Sequence, residues 1–76
     1  MNIYWLYRED AGYDEMLACV VIARTGPEAR ELAAAEACDE GGYVWLSDTT
    51  ATIRRLGTAD PGFTEPIVVC TDVHEA

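Results

Sequence analysis

Short apolar runs, rich in aromatic or β-branched residues, alternate with polar or glycine-containing segments along this chain. Runs of this kind, about four to eight residues long, predict β-strands. The pattern places strands at residues 3–8, 16–23, 50–56 and 67–73. A polar segment around Gly12 joins the first two, so we expect these strands to form an antiparallel hairpin.

The segment after the hairpin carries the signals of an α-helix. Pro27 suits the first helical position, because its φ is fixed in the helical range and the donor that it lacks would be unpaired there anyway. Glu28 places negative charge where the helix dipole favours it. Residues 29–40 are good helix formers, and Gly41 and Gly42 end the helix. The small residues of its apolar face predict that it lies close against a sheet; they are Ala29, Ala33 and Ala37.

The remaining segments complete a single α+β domain spanning residues 1–76. Residues 43–46 are interpreted as a short strand or an extended connection, and residues 57–66, with two Gly and two Pro, as a loop. The predicted element order is therefore β-β-α-β-β-β. We expect an antiparallel β-sheet of about four to five strands with one α-helix packed on one face.

Negative charge dominates the composition: fourteen Asp and Glu face five Arg, Lys is absent, and the net charge is −9. Because phosphate binding needs Lys or Arg to release counterions, this charge argues against nucleic acid and anionic membranes as partners. It favours a protein partner with a basic or nucleic-acid-binding surface, although a purely solubilising role stays open. No basic signal-peptide region and no apolar stretch of membrane-spanning length occur, so a soluble, cytoplasmic protein is expected.

Eight carboxylates are the candidate partner-binding residues. One group crowds the hairpin loop around Gly12, where a solvated tip, a partner-binding tip and a calcium site are the alternatives, although the alternating ligand register of a calcium loop is missing. The other group lies on the predicted helix, where no Arg stands three or four residues away within the helix, so we expect it to stay unpaired. The hairpin group is Glu9, Asp10, Asp14 and Glu15, and the helix group is Glu28, Glu31, Glu36 and Asp39.

Residues that could support catalysis or metal binding are few. Cys70, Asp72 and His74 alternate on the last predicted strand, but at about 3.3 Å per residue the first and third are ~13 Å apart, beyond hydrogen-bond reach. No Cys/His cluster supplies further metal ligands, and no GxSxG, P-loop, HExxH or GxGxxG motif occurs. Together with Cys19 and Cys38, Cys70 is expected to be reduced and buried. We expect no enzymatic activity, no cofactor and no bound metal.

The first strand offers a second kind of contact surface. Alternation places Trp5 and Tyr7 on one of its faces and Tyr4 and Leu6 on the other. One pair must lie in the core beneath the helix. The other pair would lie on the open face of the sheet, where exposed aromatic side chains often anchor interfaces. A homodimer formed through this face or through a sheet edge is therefore an alternative to binding by the acidic surface.

Two stretches of hairpin and turn residues frame the chain. The first is Tyr7 to Glu15 (YREDAGYDE), followed by Val20-Val21 and Glu28-Ala29-Arg30. The second is Leu56 to Gly62 (LGTADPG), followed by Thr64-Glu65-Pro66. Together they resemble a group of small proteins of unknown function encoded by phages and prophages. The resemblance implies a phage-associated origin and no established activity or functional residues.

The layout and size of the chain are also similar to those of small anti-CRISPR proteins, a likeness at the level of the fold alone. These observations predict a non-enzymatic, phage-associated binding protein. In the leading hypothesis it inhibits a host defence or nucleic-acid-handling protein through its acidic surface. The alternative is a structural or assembly protein that self-associates, or contacts virion components, through its sheet edge or aromatic face.

Overall fold

A computed structural model describes residues 1–9, 15–37 and 43–73 of the chain. In chain order, its elements are β1 (Asn2–Tyr7), β2 (Met16–Ala23), α1 (Gly26–Ala37), α2 (Tyr43–Leu46), β3 (Thr52–Thr58) and β4 (Ile67–Val73). None of the helices in these ranges is both long and apolar enough to cross a bilayer.

The four strands form one open antiparallel sheet in the order β3-β1-β2-β4. The β1–β2 hairpin therefore occupies the centre, with β3 and β4 at the two edges. Because β3 ends and β4 begins at the same end of the sheet, residues 59–66 connect the two edges across that end. The predicted α+β class, with an antiparallel sheet and one main helix, is confirmed.

Helix α1 begins with a side-chain cap. The backbone N–H of Glu28 donates to Thr25 Oγ1 at 3.2 Å, and Glu28 Oε1 in turn accepts from the backbone N–H of Arg24 at 2.8 Å. The Thr25 hydroxyl satisfies a donor that the first helical turn leaves unpaired, and the Glu28 carboxylate binds the backbone that enters the helix. The face that α1 turns to the core carries the buried residues Ala29, Ala33 and Ala37, as their four-residue spacing predicts.

The core lies between α1 and one face of the sheet. Its largest fully buried side chains include Leu6 of β1, Val21 of β2 and Trp45 of α2. Tyr4 is also buried, whereas Trp5 on the opposite face of β1 is 37% exposed. The predicted separation of the two faces of β1 is therefore confirmed, and the face that α1 leaves uncovered is the one that carries Trp5.

The prediction of a strand or extended connection at residues 43–46 is wrong, because these residues form the short helix α2. The carbonyl of Val44 accepts a hydrogen bond from Thr50 Oγ1 at 2.5 Å, and that of Trp45 accepts one from Arg30 at 3.2 Å. Both donors lie outside α2, and they satisfy carbonyls that so short a helix leaves unpaired. Strand β3 accordingly begins at Thr52, two residues later than expected, after a turn closed by the Ala51 N–H on the Ser47 carbonyl.

Candidate functional site

Acidic side chains from two distant segments line one groove beside the start of α1. Glu28 and Glu31 project from the helix, and Glu65 comes from the segment that precedes β4. They border a shallow groove, here called the acidic groove, whose apolar side chains are Leu32 and Pro66. Its lining residues are Arg24, Glu28, Glu31, Leu32, Glu65 and Pro66.

The charges of the acidic groove are only partly compensated. Arg24 Nη1 lies 3.5 Å from Glu28 Oε2, which makes an ion pair across one turn. The expectation that the helix carboxylates stay unpaired is therefore wrong for Glu28, because its partner stands just before the helix rather than within it. Glu31 and Glu65 are exposed and form no ion pair with any residue that the structure describes. Three carboxylates thus face one guanidinium, which leaves the groove with surplus negative charge.

Glu36, the next helix carboxylate, does not line the acidic groove. It lies close enough to Cys19 of β2 to affect that thiol. Burial is the main cause that raises the pKa of Cys19 from 9.0 to about 12, and Cys70 and Glu36 raise it further. Because the thiolate is the nucleophilic form, Cys19 is an unreactive core side chain at neutral pH.

The two described cysteines differ in accessibility. Both are free thiols; Cys19 is buried as predicted, but Cys70 is exposed, so its predicted burial is wrong. The physical reason is the position of β4 at the edge of the sheet, where only one neighbouring strand covers it. Cys38 lies outside the described residues.

This difference in burial gives a chemical test of the fold. In the native protein, we expect iodoacetamide to alkylate Cys70 at least about tenfold faster than Cys19, because Cys19 is buried and its thiolate is disfavoured. The positions of the arginines place the cysteines in separate tryptic peptides, so mass spectrometry can follow each one. Unfolding in urea is the control, and it should abolish the difference. Equal labelling in the native state would contradict the burial of Cys19.

The hairpin carboxylates lie apart from the acidic groove. Glu15 Oε1 is 4.0 Å from Arg8 Nη2, and Glu9 is exposed. Glu9 and Asp48 line a second groove, beside the turn that leads into β3, together with Arg8 and Thr50. The structure therefore does not bring the described hairpin and helix carboxylates into one site. The predicted Asp10, Asp14 and Asp39 lie outside the described residues.

The predicted alternation of Cys70 and Asp72 places both on the open face of the sheet, since their partners on β2 are Val20 and Ala18. His74 lies outside the described residues. Within residues 1–9, 15–37 and 43–73, no three His, Cys, Asp or Glu side chains are grouped so that they could hold a metal ion.

The face of the sheet opposite α1 forms a second candidate surface. Two rows cross it in register and define what we call the open sheet face: Arg54–Trp5–Val20–Cys70 and Thr52–Tyr7–Ala18–Asp72. The rings of Trp5 and Tyr7 have their centroids 4.2 Å apart with an interplanar angle of 31°. The charged residues of these rows are Arg54 and Asp72, whose charges cancel. The two rows are therefore neutral, whereas the whole chain carries a net charge of −9.

The eight carboxylates predicted from the sequence do not include Glu65 of the acidic groove or Arg54 and Asp72 of the open sheet face. Glu65 stands in a loop sequence whose place beside α1 depends on the path of residues 59–66 around the sheet. Arg54 and Asp72 belong to one surface only because β3 and β4 share a face of the same sheet. No local signal in the sequence gives either arrangement.

No protein-family model, no curated protein and no solved structure matches this chain.

Proposed function

We propose that this chain is a non-enzymatic binding protein that contacts a basic protein partner through the acidic groove. One observation carries the proposal: acidic residues of α1 and of the segment before β4 line the same groove as two apolar side chains. Arg and Lys combine an apolar stem with a charged head. A groove in which Glu31 and Glu65 flank Leu32 and Pro66 complements both parts of such a side chain.

Charge also favours a protein partner over other classes. Nucleic acid and anionic lipid would be repelled by a chain of net charge −9. A basic surface would be attracted over a distance of about one Debye length, ~8 Å at physiological ionic strength, which accelerates encounter. Proteins that handle nucleic acid carry such surfaces. The resemblance to phage-encoded proteins makes an inhibitor of a host defence or nucleic-acid-handling protein the form of this proposal that we favour.

The test compares two variants with the same change in charge. Glu31→Gln/Glu65→Gln removes the unpaired charges of the acidic groove and leaves in place Glu28, whose carboxylate accepts a hydrogen bond from the Arg24 backbone. Glu9→Gln/Asp48→Asn removes two exposed charges from the other groove. The partner retained from host lysate should bind the groove variant about tenfold more weakly, at roughly 0.7 kcal/mol per charge, and the control variant nearly as well as the unaltered protein.

Ionic strength provides the second arm of this test. Binding by the unaltered protein should weaken as salt rises, because exposed charges are screened. Equal retention of both variants would contradict the assignment of the groove. Binding that does not change with salt would contradict the basic partner, and turnover of a substrate would contradict the non-enzymatic class.

An assembly role is a second candidate function, and a different observation favours it. The open sheet face is neutral and exposes aromatic rings, in contrast to the acidic groove on the other side of the sheet. Such a surface suits close contact with a protein that shares the chain's own negative charge.

A further inference from the structure

We propose that two copies of this chain pack their open sheet faces together about a two-fold axis parallel to the strands, with Arg54 of each copy beside Asp72 of the other. This inference deepens the second candidate function by naming the partner, and it does not depend on the acidic groove.

The apolar content of the open sheet face is the first step. Trp5, Tyr7, Ala18 and Val20 occupy the middle of the two central rows. Trp5 is 37% exposed, although the stacked ring of Tyr7 covers part of it. Antiparallel sheets that leave a face to solvent usually alternate apolar residues inside with polar residues outside. Here the middle of the outer face is apolar as well, so contact with another surface would remove it from water.

The two charges at the margins of the face are the second step. Arg54 lies on β3 and Asp72 on β4, at opposite edges of the sheet. Three strand spacings of about 4.8 Å separate the edges and one row of about 6.6 Å separates the two residues along the strands, so these side chains start ~16 Å apart within one copy. Both are exposed, and neither has a hydrogen bond or ion pair with another described residue.

Symmetry turns these two charges into complementary contacts. A two-fold axis parallel to the strands, lying between the copies, places β3 of one copy over β4 of the other. Arg54 then lies one row from Asp72 of the second copy, an offset of about 6.6 Å along the strand that an Arg side chain can span. A two-fold axis that lies in the same plane but runs perpendicular to the strands would instead stack β3 on β3 and bring like charges together. Charge complementarity therefore selects the first arrangement.

The size of the face sets the strength of the dimer. Four strands of six to eight residues cover about 19 × 23 Å, so two copies bury roughly 900 Å² when each face is treated as flat. Stable interfaces generally exceed ~1,000 Å². We therefore expect a weak dimer with a dissociation constant in the micromolar range. Sheets packed face to face in this way form a β-sandwich, with α1 of each copy on the outside.

The experiment measures the dissociation constant by analytical ultracentrifugation from micromolar to near-millimolar protein. Arg54→Glu and Asp72→Arg should each raise it at least about tenfold, because each creates two pairs of like charges across the axis. The combined variant Arg54→Glu/Asp72→Arg should return it to within about threefold of the unaltered protein, because opposite charges face each other again.

Net charge alone predicts a different pattern. Arg54→Glu makes the chain more negative and Asp72→Arg makes it less negative, so general repulsion would weaken one dimer and strengthen the other. Acrylamide quenching of Trp5 adds an independent readout, because Trp45 is buried. Quenching should fall as protein concentration rises, and the single variants should abolish that fall.

A monomer at every concentration would overturn the proposal, and so would a dimer insensitive to the single variants or one that the combined variant does not restore. Glu31→Gln/Glu65→Gln should leave dimerisation intact. Salt separates the two proposals further: it should strengthen a dimer of two negative copies and weaken binding of a basic partner. A dimer that salt does not strengthen would refute only the dimer, and partner binding that salt does not weaken would refute only the basic partner.

Discussion

Replacing Trp45 by alanine is expected to lower the free energy of unfolding by about 3–5 kcal/mol, the range measured for truncation of large buried side chains. Trp45 is fully buried and lies in the same cluster as Leu6 and Val21. A domain of this size has a total stability at or below the lower end of the usual range, ~5 kcal/mol. Urea unfolding followed by circular dichroism should therefore find the variant largely unfolded at room temperature.

Two further variants isolate the cause of this loss. Tyr43→Ala changes an aromatic residue of the same helical turn that is 72% exposed, and it should alter stability by no more than ~0.5 kcal/mol. Trp45→Phe should cost less than Trp45→Ala, since it keeps most of the packing and removes the buried Nε1–H, which has no acceptor among the described residues. A Trp45→Ala protein as stable as Tyr43→Ala would contradict the role of Trp45 in the core.

Local signals in the sequence account for much of the fold. The bounds of β2 and β4 follow from continuous apolar, β-branched runs, and the burial of Ala29 and Ala33 follows from their spacing of four residues. The start of α1 follows from the residues around Thr25, whose hydroxyl caps the helix. Each of these features depends on neighbours within a few positions, which is why a single sequence reveals them.

Local signals do not reveal features that depend on other parts of the chain. Tyr43–Leu46 is too short to show a period, and its aromatic and β-branched residues favour a strand. Its helical form is supported from outside the segment: Arg30 of α1 donates to the Trp45 carbonyl, Thr50 of the following turn donates to the Val44 carbonyl, and the Trp45 side chain is buried in the core. The exposure of Cys70 has a similar origin, since only the order of the strands places β4 at an edge.

The acidic groove and the open sheet face also combine features that the local sequence reveals with features that depend on the tertiary structure. The acidic character of α1 is evident in the sequence, but the participation of Glu65 depends on where residues 59–66 lead the chain. The aromatic side of β1 could be predicted by alternation, whereas the placement of Arg54 and Asp72 at its two margins needs the full strand order. Sequence therefore indicates which residues can make contacts, and tertiary structure decides which of them act together.

The two proposed surfaces lie on opposite sides of the sheet and are physically compatible. A dimer formed through the open sheet faces would leave both acidic grooves directed outward. Such a dimer could bind two basic sites of one partner, and the second contact would then be intramolecular, which raises the overall affinity. The single variants Arg54→Glu and Asp72→Arg should therefore weaken binding to a partner with two sites while leaving the affinity of one groove unchanged.

Arg30→Ala is expected to lower the free energy of unfolding by about 2–3 kcal/mol, because a charged donor contributes roughly 1.5–3 kcal/mol to one hydrogen bond and a single, partly buried nitrogen makes both bonds here. Arg30 Nη1 donates to the carbonyls of Trp45 at 3.2 Å and Ala51 at 2.9 Å, so one side chain holds α2 and the entry to β3 against α1.

Thermal and urea unfolding would measure the loss, with Arg24→Ala as the matched control. Arg24 pairs with Glu28 at the surface, so its removal should cost less than ~1 kcal/mol. Arg30→Lys should retain only part of the stability, because the Lys side chain is one atom shorter and its ammonium group cannot reach the position of Nη1, which donates to both carbonyls. Equal losses in Arg30→Ala and Arg24→Ala would show that the two carbonyl contacts do not hold α2 in place.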